Sequence, residues 1–253
     1  MAAAPDPPDA QSELVGYLVT PPAFPGPVTF DQRWADVTFI HWPVWPASVE
    51  SLYPPGTRPD VFADGMTYVA LIPFVLASTK VGTALPLPYF GGFAETNVRL
   101  YSVDDAGRHG VVFRSLETSR LAVVAVIRMG LGVPYTWSRM RVTRRGDHIT
   151  YDSVRRWPRR GLRSRVTVAI GDVVEPNPLE VWLTARWGAH TRKAGRTWWV
   201  PNEHGPWPLR AAEIIELRDE LLGASAVQPA GERLRALFSS GVRTRFGLPC
   251  LVQ

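Results

Sequence analysis

Hydrophobic and polar positions alternate along much of this chain with the period of a β-strand. In Phe93-Ala94-Glu95-Thr96-Asn97-Val98-Arg99-Leu100-Tyr101, Glu95, Asn97 and Arg99 share one face, and Val98 and Leu100 the other. Ala35–Trp42 alternates too. Thr67–Leu76 is a near-continuous apolar run, as a strand buried on both faces requires. Asp104-Asp105-Ala106-Gly107 supplies turn residues between the Glu95 strand and Gly110–Leu116, which predicts a hairpin. Arg139–Arg144 and His148–Val154 flank Arg145-Gly146-Asp147 as a second hairpin, and Arg192–Val200 turns at Ala194-Gly195 as a third. Ser164–Ile170 and Val242–Gly247 read as strands, and Leu179–Trp187 as a short helix. Arg210–Leu222 reads as an amphipathic helix, with Ala211, Ile214, Ile215, Leu221 and Leu222 opposite Glu213, Glu216 and Glu220. Lys80–Gly92 reads as a Gly/Pro loop, while Leu121–Gly130 fits helix and strand equally. Many short strands with few helices predict a mainly β (α+β) fold, an antiparallel barrel or sandwich.

Composition adds limits. With 253 residues, 45% of them hydrophobic, the chain can bury a sizeable core. Residues 1–12 are rich in Ala, Pro and Asp and lack the basic and apolar regions of a signal peptide. They read as a disordered tail, leaving residues 13–253 as a single domain. The longest apolar run, Tyr68–Ala77, is about half the length of a membrane helix, so no membrane partner is expected. Cys250 is the only cysteine, which precludes an internal disulfide and points to a cytoplasmic setting.

The net charge is +5, and 26 of the 28 basic residues are arginine, Lys80 and Lys193 being the only lysines. Arg155-Arg156-Trp157-Pro158-Arg159-Arg160, extending to Arg163 and Arg165, could hold phosphates and stack on a base. A solvated hairpin loop accounts for it more simply, and no RNP, zinc-finger or helix-turn-helix pattern accompanies it. Nucleic acid is therefore the weaker expectation. The histidines, His41, His109, His148, His190 and His204, show no metal-ligand spacing, and no GxGxxG, P-loop or GxSxG occurs. Neither metal nor cofactor is expected. Trp42, Trp45 and Trp207, in Pro-rich surroundings, are candidates to rim a pocket. For Glu95 spacing alone leaves two readings: a solvated face with Glu95 and Arg99 crossing, or a cavity face.

Phe39-Ile40-His41-Trp42-Pro43-Val44, Phe93 to Arg99, Val112-Phe113-Arg114-Ser115-Leu116, Pro134-Tyr135, Leu183-Thr184-Ala185-Arg186-Trp187 and His204-Gly205-Pro206-Trp207-Pro208-Leu209 together resemble the YqjF-like family of uncharacterised proteins. The likeness spans roughly Val15 to Leu251. It implies the fold of acetoacetate decarboxylase, a closed antiparallel barrel around a cavity. Pro21–Pro27 with Phe30-Asp31-Gln32-Arg33 is similar to the decarboxylase stretch that ends in a cavity arginine, and Phe93-Ala94-Glu95 to the one that carries a cavity glutamate. Gly132-Val133-Pro134-Tyr135-Thr136 stands where that enzyme has its Schiff-base lysine, so imine chemistry is not implied. Lys80 and Lys193, in a loop and beside a turn, are no substitutes, because such a lysine needs burial near a second cation.

The resemblance thus implies a cavity for a small carbonyl or carboxylic compound, with Glu95 as the acid/base and Arg33 or Arg99 as anion clamp. His41, Asn97, Tyr135 and His204 complete the expected ligand site. A cavity carboxylate must be paired with a cation or protonated. A non-catalytic binder that kept the cavity is the rival reading, and oligomerisation is open.

Overall fold

The computed structural model describes residues 17–24, 26–82, 85–86, 92–121, 123–124, 130 and 132–252. The tail 1–12 lies outside these residues, as do parts of the loop expected at Lys80–Gly92 and most of Leu121–Gly130. Strands dominate: β1 (Phe30–Val44), β2 (Thr57–Pro59), β3 (Thr67–Val81), β4 (Leu85–Pro86), β5 (Phe93–Asp104), β6 (His109–Thr118) and β7 (Tyr135–Arg145). They continue with β8 (His148–Trp157), β9 (Arg163–Val173), β10 (Gly188–Lys193), β11 (Arg196–His204), β12 (Leu209–Asp219), β13 (Ala236–Phe246) and β14 (Cys250–Leu251). Short α-helices accompany them, among them α1 (Pro46–Val49), α2 (Pro178–Thr184) and α3 (Leu221–Ala224). The three expected hairpins are β5–β6, β7–β8 and β10–β11. No described helix is long and apolar enough to cross a membrane.

The sheet closes on itself. In the order β6-β7-β8-β9-β12-β13-β1-β3-β5, nine strands form a barrel that the β5–β6 pairing shuts. A second ring shares five of these strands. It runs β13-β1-β3-β5-β6-β10-β11 and closes where Asn202, Glu203 and His204 pair with Phe246, Arg245 and Thr244. The β6–β10 contact is a single parallel pairing, Val111 with Ala189. It needs glycine on both sides: a Cβ on Gly110 would stand 2.6 Å from the Gly188 carbonyl oxygen and meet the Trp199 ring. Each shared strand therefore shows one face to each ring, and its alternation sorts side chains between the two interiors. Val98, Leu100, Val69, Leu71 and Ile40 join Ile149, Val166, Val168 and Phe238 inside the nine-strand barrel.

The segment Arg210–Leu222 is not the expected helix but β12 followed by α3. Two bulges explain the misleading period. The β12–β9 register shifts between Arg210 and Ala212 and again between Ile214 and Glu216. Inward residues consequently fall at Ala212, Ile214 and Leu217, a mixture of two- and three-residue steps that imitates a helical stripe. Glu216 is a cross-strand partner of Arg165, at 2.8 Å.

The arginine cluster is only partly a solvated loop. Arg156, Arg159, Arg160 and Arg163 are exposed, but Arg155 is buried. Its guanidinium grips Glu117, to which Ser138 also donates. Arg165 is bound on both sides, by Asp152 and Glu216.

Candidate functional site

The other interior is not filled. A cavity of about 450 Å³ lies in the seven-strand ring. β5 contributes Glu95, Asn97 and Arg99, the polar face read from the sequence; β1 contributes Gln32 and Trp34, and β3 contributes Phe74 and Leu76. Tyr135 opens β7, Thr184 and Arg186 follow from the end of α2, and Asn202 and His204 come from β11. An Asn177–Glu180 capping box fixes the start of α2, which helps to position Arg186 beyond its end. Thr29, Phe30, Val81 and Pro249 line the outer end, where Val81 is 42% exposed.

Glu95 is 3% exposed and has no ion pair among the described residues. Of the two expected states, paired with a cation or protonated, the described surroundings agree with the second. Its recorded partner is the Tyr135 hydroxyl, 3.3 and 3.4 Å from the two carboxylate oxygens. Burial pushes its pKa up to about 8, against the opposing Tyr135 hydrogen bond, so at pH 7 it is mainly a neutral acid. Burial and the neighbouring Glu95 also drive the Tyr135 pKa far upward, which keeps the phenol protonated.

Arg99 has the opposite character. It is buried and has no carboxylate partner within salt-bridge range among the described residues. Nη2 makes two long contacts, 3.4 Å to Tyr101 Oη and 3.4 Å to the Leu183 carbonyl oxygen, and Nε has no partner. Arg186 is better satisfied. It pairs with Asp60, donates from Nε to the Trp182 carbonyl at 3.0 Å, and stacks 3.9 Å from the Trp182 ring centroid. Although burial opposes its ionisation, Arg186 and His109 hold Asp60 below the usual carboxylate range. One Arg186 nitrogen, Nη2, and the buried Asn97 Oδ1 and Asn202 Oδ1 have no partner among the described residues. His204 Nδ1 lies 2.8 Å from the Gly205 carbonyl, and a hydrogen bond to the Arg186 backbone also acts on the ring. Burial, and the Arg99 charge with it, lowers the His204 pKa and keeps the ring neutral.

Glu95, Asn97, Arg99, Tyr135 and His204 thus converge as expected, and Trp207 lines the same cavity. Two residues do not. Arg33 is exposed, because its strand neighbours Gln32 and Trp34 take the inward positions. His41 lies behind the wall, parallel to Phe39, with Nε2 2.7 Å from Tyr101 Oη. Trp42 borders a separate surface depression and Trp45 is 62% exposed. Both lysines are outside: Lys80 is exposed, and Lys193 donates to the Gly130 carbonyl at 2.6 Å. Arg186 and Asn202 were missed as site residues; the only signal was that Arg186 falls in the Leu183–Trp187 motif.

A second constellation imitates a hydrolase. Ser102 Oγ lies 2.8 Å from His190 Nδ1, and His190 Nε2 lies 3.1 Å from Asp104 Oδ2. All three are buried, and none lines the cavity. Asp104 is committed to the β5–β6 turn, accepting from the Ala106 and Arg108 amides. Without access, this set serves the fold.

The family model described as an uncharacterized conserved protein, DUF2071, matches residues 31–243, and the chain belongs to that family. It is 28% identical over 184 residues to the uncharacterized protein YqjF of Bacillus subtilis (strain 168), covering 72% of this chain and 75% of that one. Among solved structures it is similar in fold to the acetoacetate decarboxylase of Legionella pneumophila, at TM-score 0.62 and 12% identity, over 100% of this chain and 98% of that one. An acetoacetate decarboxylase-like enzyme of Sphingomonas wittichii RW1 matches at TM-score 0.62 and 14% identity, covering 94% and 98%. The enduracididine biosynthesis enzyme MppR complexed with pyruvate matches at 0.60 and 14%, covering 90% and 92%.

Proposed function

We propose that this DUF2071 protein binds a small carbonyl or carboxylic compound in its cavity and performs acid–base chemistry on it without a Schiff-base lysine. One observation carries this reading: Glu95 is a buried, neutral carboxylic acid beside a phenol, in the same cavity as an unpaired guanidinium. Perturbed acids facing a cavity are the usual mark of proton transfer. Arg99 binds the anionic group of the ligand. Glu95 donates its proton to a carbonyl oxygen, and in its ionised form it removes a proton from the adjacent carbon. Tyr135 donates to the carboxylate that results. No described cavity residue is a lysine, so the carbonyl stays free of an imine. Structural neighbours that include acetoacetate decarboxylase and a pyruvate-bound enzyme favour this ligand class. A cytoplasmic location accords with the single cysteine.

Exchange of the protons beside the ketone of 9-oxodecanoate in D₂O, followed by NMR, tests the proposal, because this carbonyl can reach Glu95 while Arg99 holds the carboxylate. Exchange should rise with pH through about 8 and vanish in Glu95→Gln. 9-Oxodecanoate that binds without Glu95-dependent exchange would instead mark the protein as a non-catalytic binder.

A further inference from the structure

The cavity has two chemical poles, and one strand holds them apart. Glu95 and Arg99 stand on the same face of β5, four residues from each other. β5 pairs with β3 from Phe93 to Leu100 without a register shift. At about 3.3 Å per residue, their Cα atoms are about 13 Å apart. Their surroundings agree. Arg99 reaches Tyr101 and the Leu183 carbonyl, at the end closed by α2. Glu95 lies toward Phe93, Leu76 and Val81, the outer end, and among the described residues Tyr135 faces its carboxylate. Apolar walls such as Phe74, Val111 and Phe113 occupy the interval, with Asn97 between the poles.

We infer that the ligand is an elongated, largely apolar carboxylic acid, with its carboxylate at Arg99 and an oxygen function at its far end against Glu95 and Tyr135. This rests on the reading of Arg99 as the anion site. An extended chain gains about 1.2 Å per bond, as the polypeptide itself does. After the two side chains close part of the gap, about six to ten bonds are needed to touch both poles. A three- or four-carbon oxoacid reaches only one of them. The cavity volume of about 450 Å³ falls in the range that takes larger ligands.

Calorimetric titration of the wild-type protein with straight-chain acids from acetate to dodecanoate tests the length directly. Binding should tighten about three- to fourfold per added methylene, until the chain spans the poles at about eight to ten carbons, and then stop improving. At that length an ω-hydroxy acid should lose about tenfold in Glu95→Gln or Tyr135→Phe, while the plain acid is unaffected. Arg99→Met should abolish binding at every length. A flat length series that still requires Arg99 would overturn the elongated ligand and leave the anion site standing. Binding that is absent, or unchanged in Arg99→Met, would overturn both.

Discussion

The two rings share five strands and both have apolar walls, yet only one of them keeps a polar-lined hollow. The nine-strand barrel is packed with aliphatic and aromatic side chains. The seven-strand ring keeps a cavity and lines it with an unpaired cation, a neutral acid and orphaned amides. Val98 and Leu100 belong to the first interior, while Asn97 and Arg99 belong to the second. Neighbouring residues on one strand therefore answer to different demands. Both sides supply apolar burial, and the hollow side also holds groups that packing alone would not select. Strained or costly polar groups are expected where function resides.

The comparison breaks most directly at the buried Arg155–Glu117 ion pair. Arg155→Met leaves Glu117 buried with Ser138 as its remaining partner and should cost about 3–5 kcal/mol. Urea unfolding measures it. A loss below about 1 kcal/mol would mean that water already reaches Glu117 and that the barrel is less dry than its packing implies.

The next contrast concerns two apolar truncations. Leu100→Ala opens a void in a packed interior and should cost about 2–5 kcal/mol. Val111→Ala only enlarges a space that exists and should cost about 1 kcal/mol. Equal losses would show that the hollow ring contributes to stability as the filled one does.

Glu95 should reverse the sign. Below pH about 4.5 the acid is protonated in both folded and unfolded chains and costs nothing. Above that the unfolded chain ionises while the folded chain retains its proton, so stability falls as pH rises and levels off near pH 8. Glu95→Gln removes the penalty and keeps a partner for Tyr135. The variant should match wild type at acid pH and exceed it by up to roughly 3 kcal/mol at neutral pH. Destabilisation at pH 7 would instead reveal a cation paired with Glu95.

How much of this was legible beforehand follows from the range of each determinant. The face carrying Glu95, Asn97 and Arg99 was legible because period-two alternation is local and β5 is unbroken against β3. Arg33 was misread because β1 places Gln32 and Trp34 inward, a parity set by pairing with β3 and β13 rather than by β1 itself. β12 was misread because its bulges depend on β9. Arg155 looked like surface because its partner Glu117 is 38 residues distant. Resemblance supplied Tyr135 and His204, which alternation alone does not connect to Glu95. The Glu95–Tyr135 contact in place of an ion pair emerged only in three dimensions.

The smallest effect is expected where neither interior is touched. Lys80→Arg and Lys193→Arg alter residues outside both rings and should change stability by less than about 0.5 kcal/mol. The same residues carry the sharper chemical test. An amine forms an imine only when a good fraction is neutral, which takes burial and a neighbouring cation. Lys80 is exposed on the end of β3, and Lys193 is tied to the Gly130 carbonyl. Borohydride reduction in the presence of acetoacetate should therefore add no mass to the wild-type protein. A single adduct that disappears in either variant would relocate carbonyl chemistry from the hollow ring to the surface, and the division of labour between the two rings would fail with it.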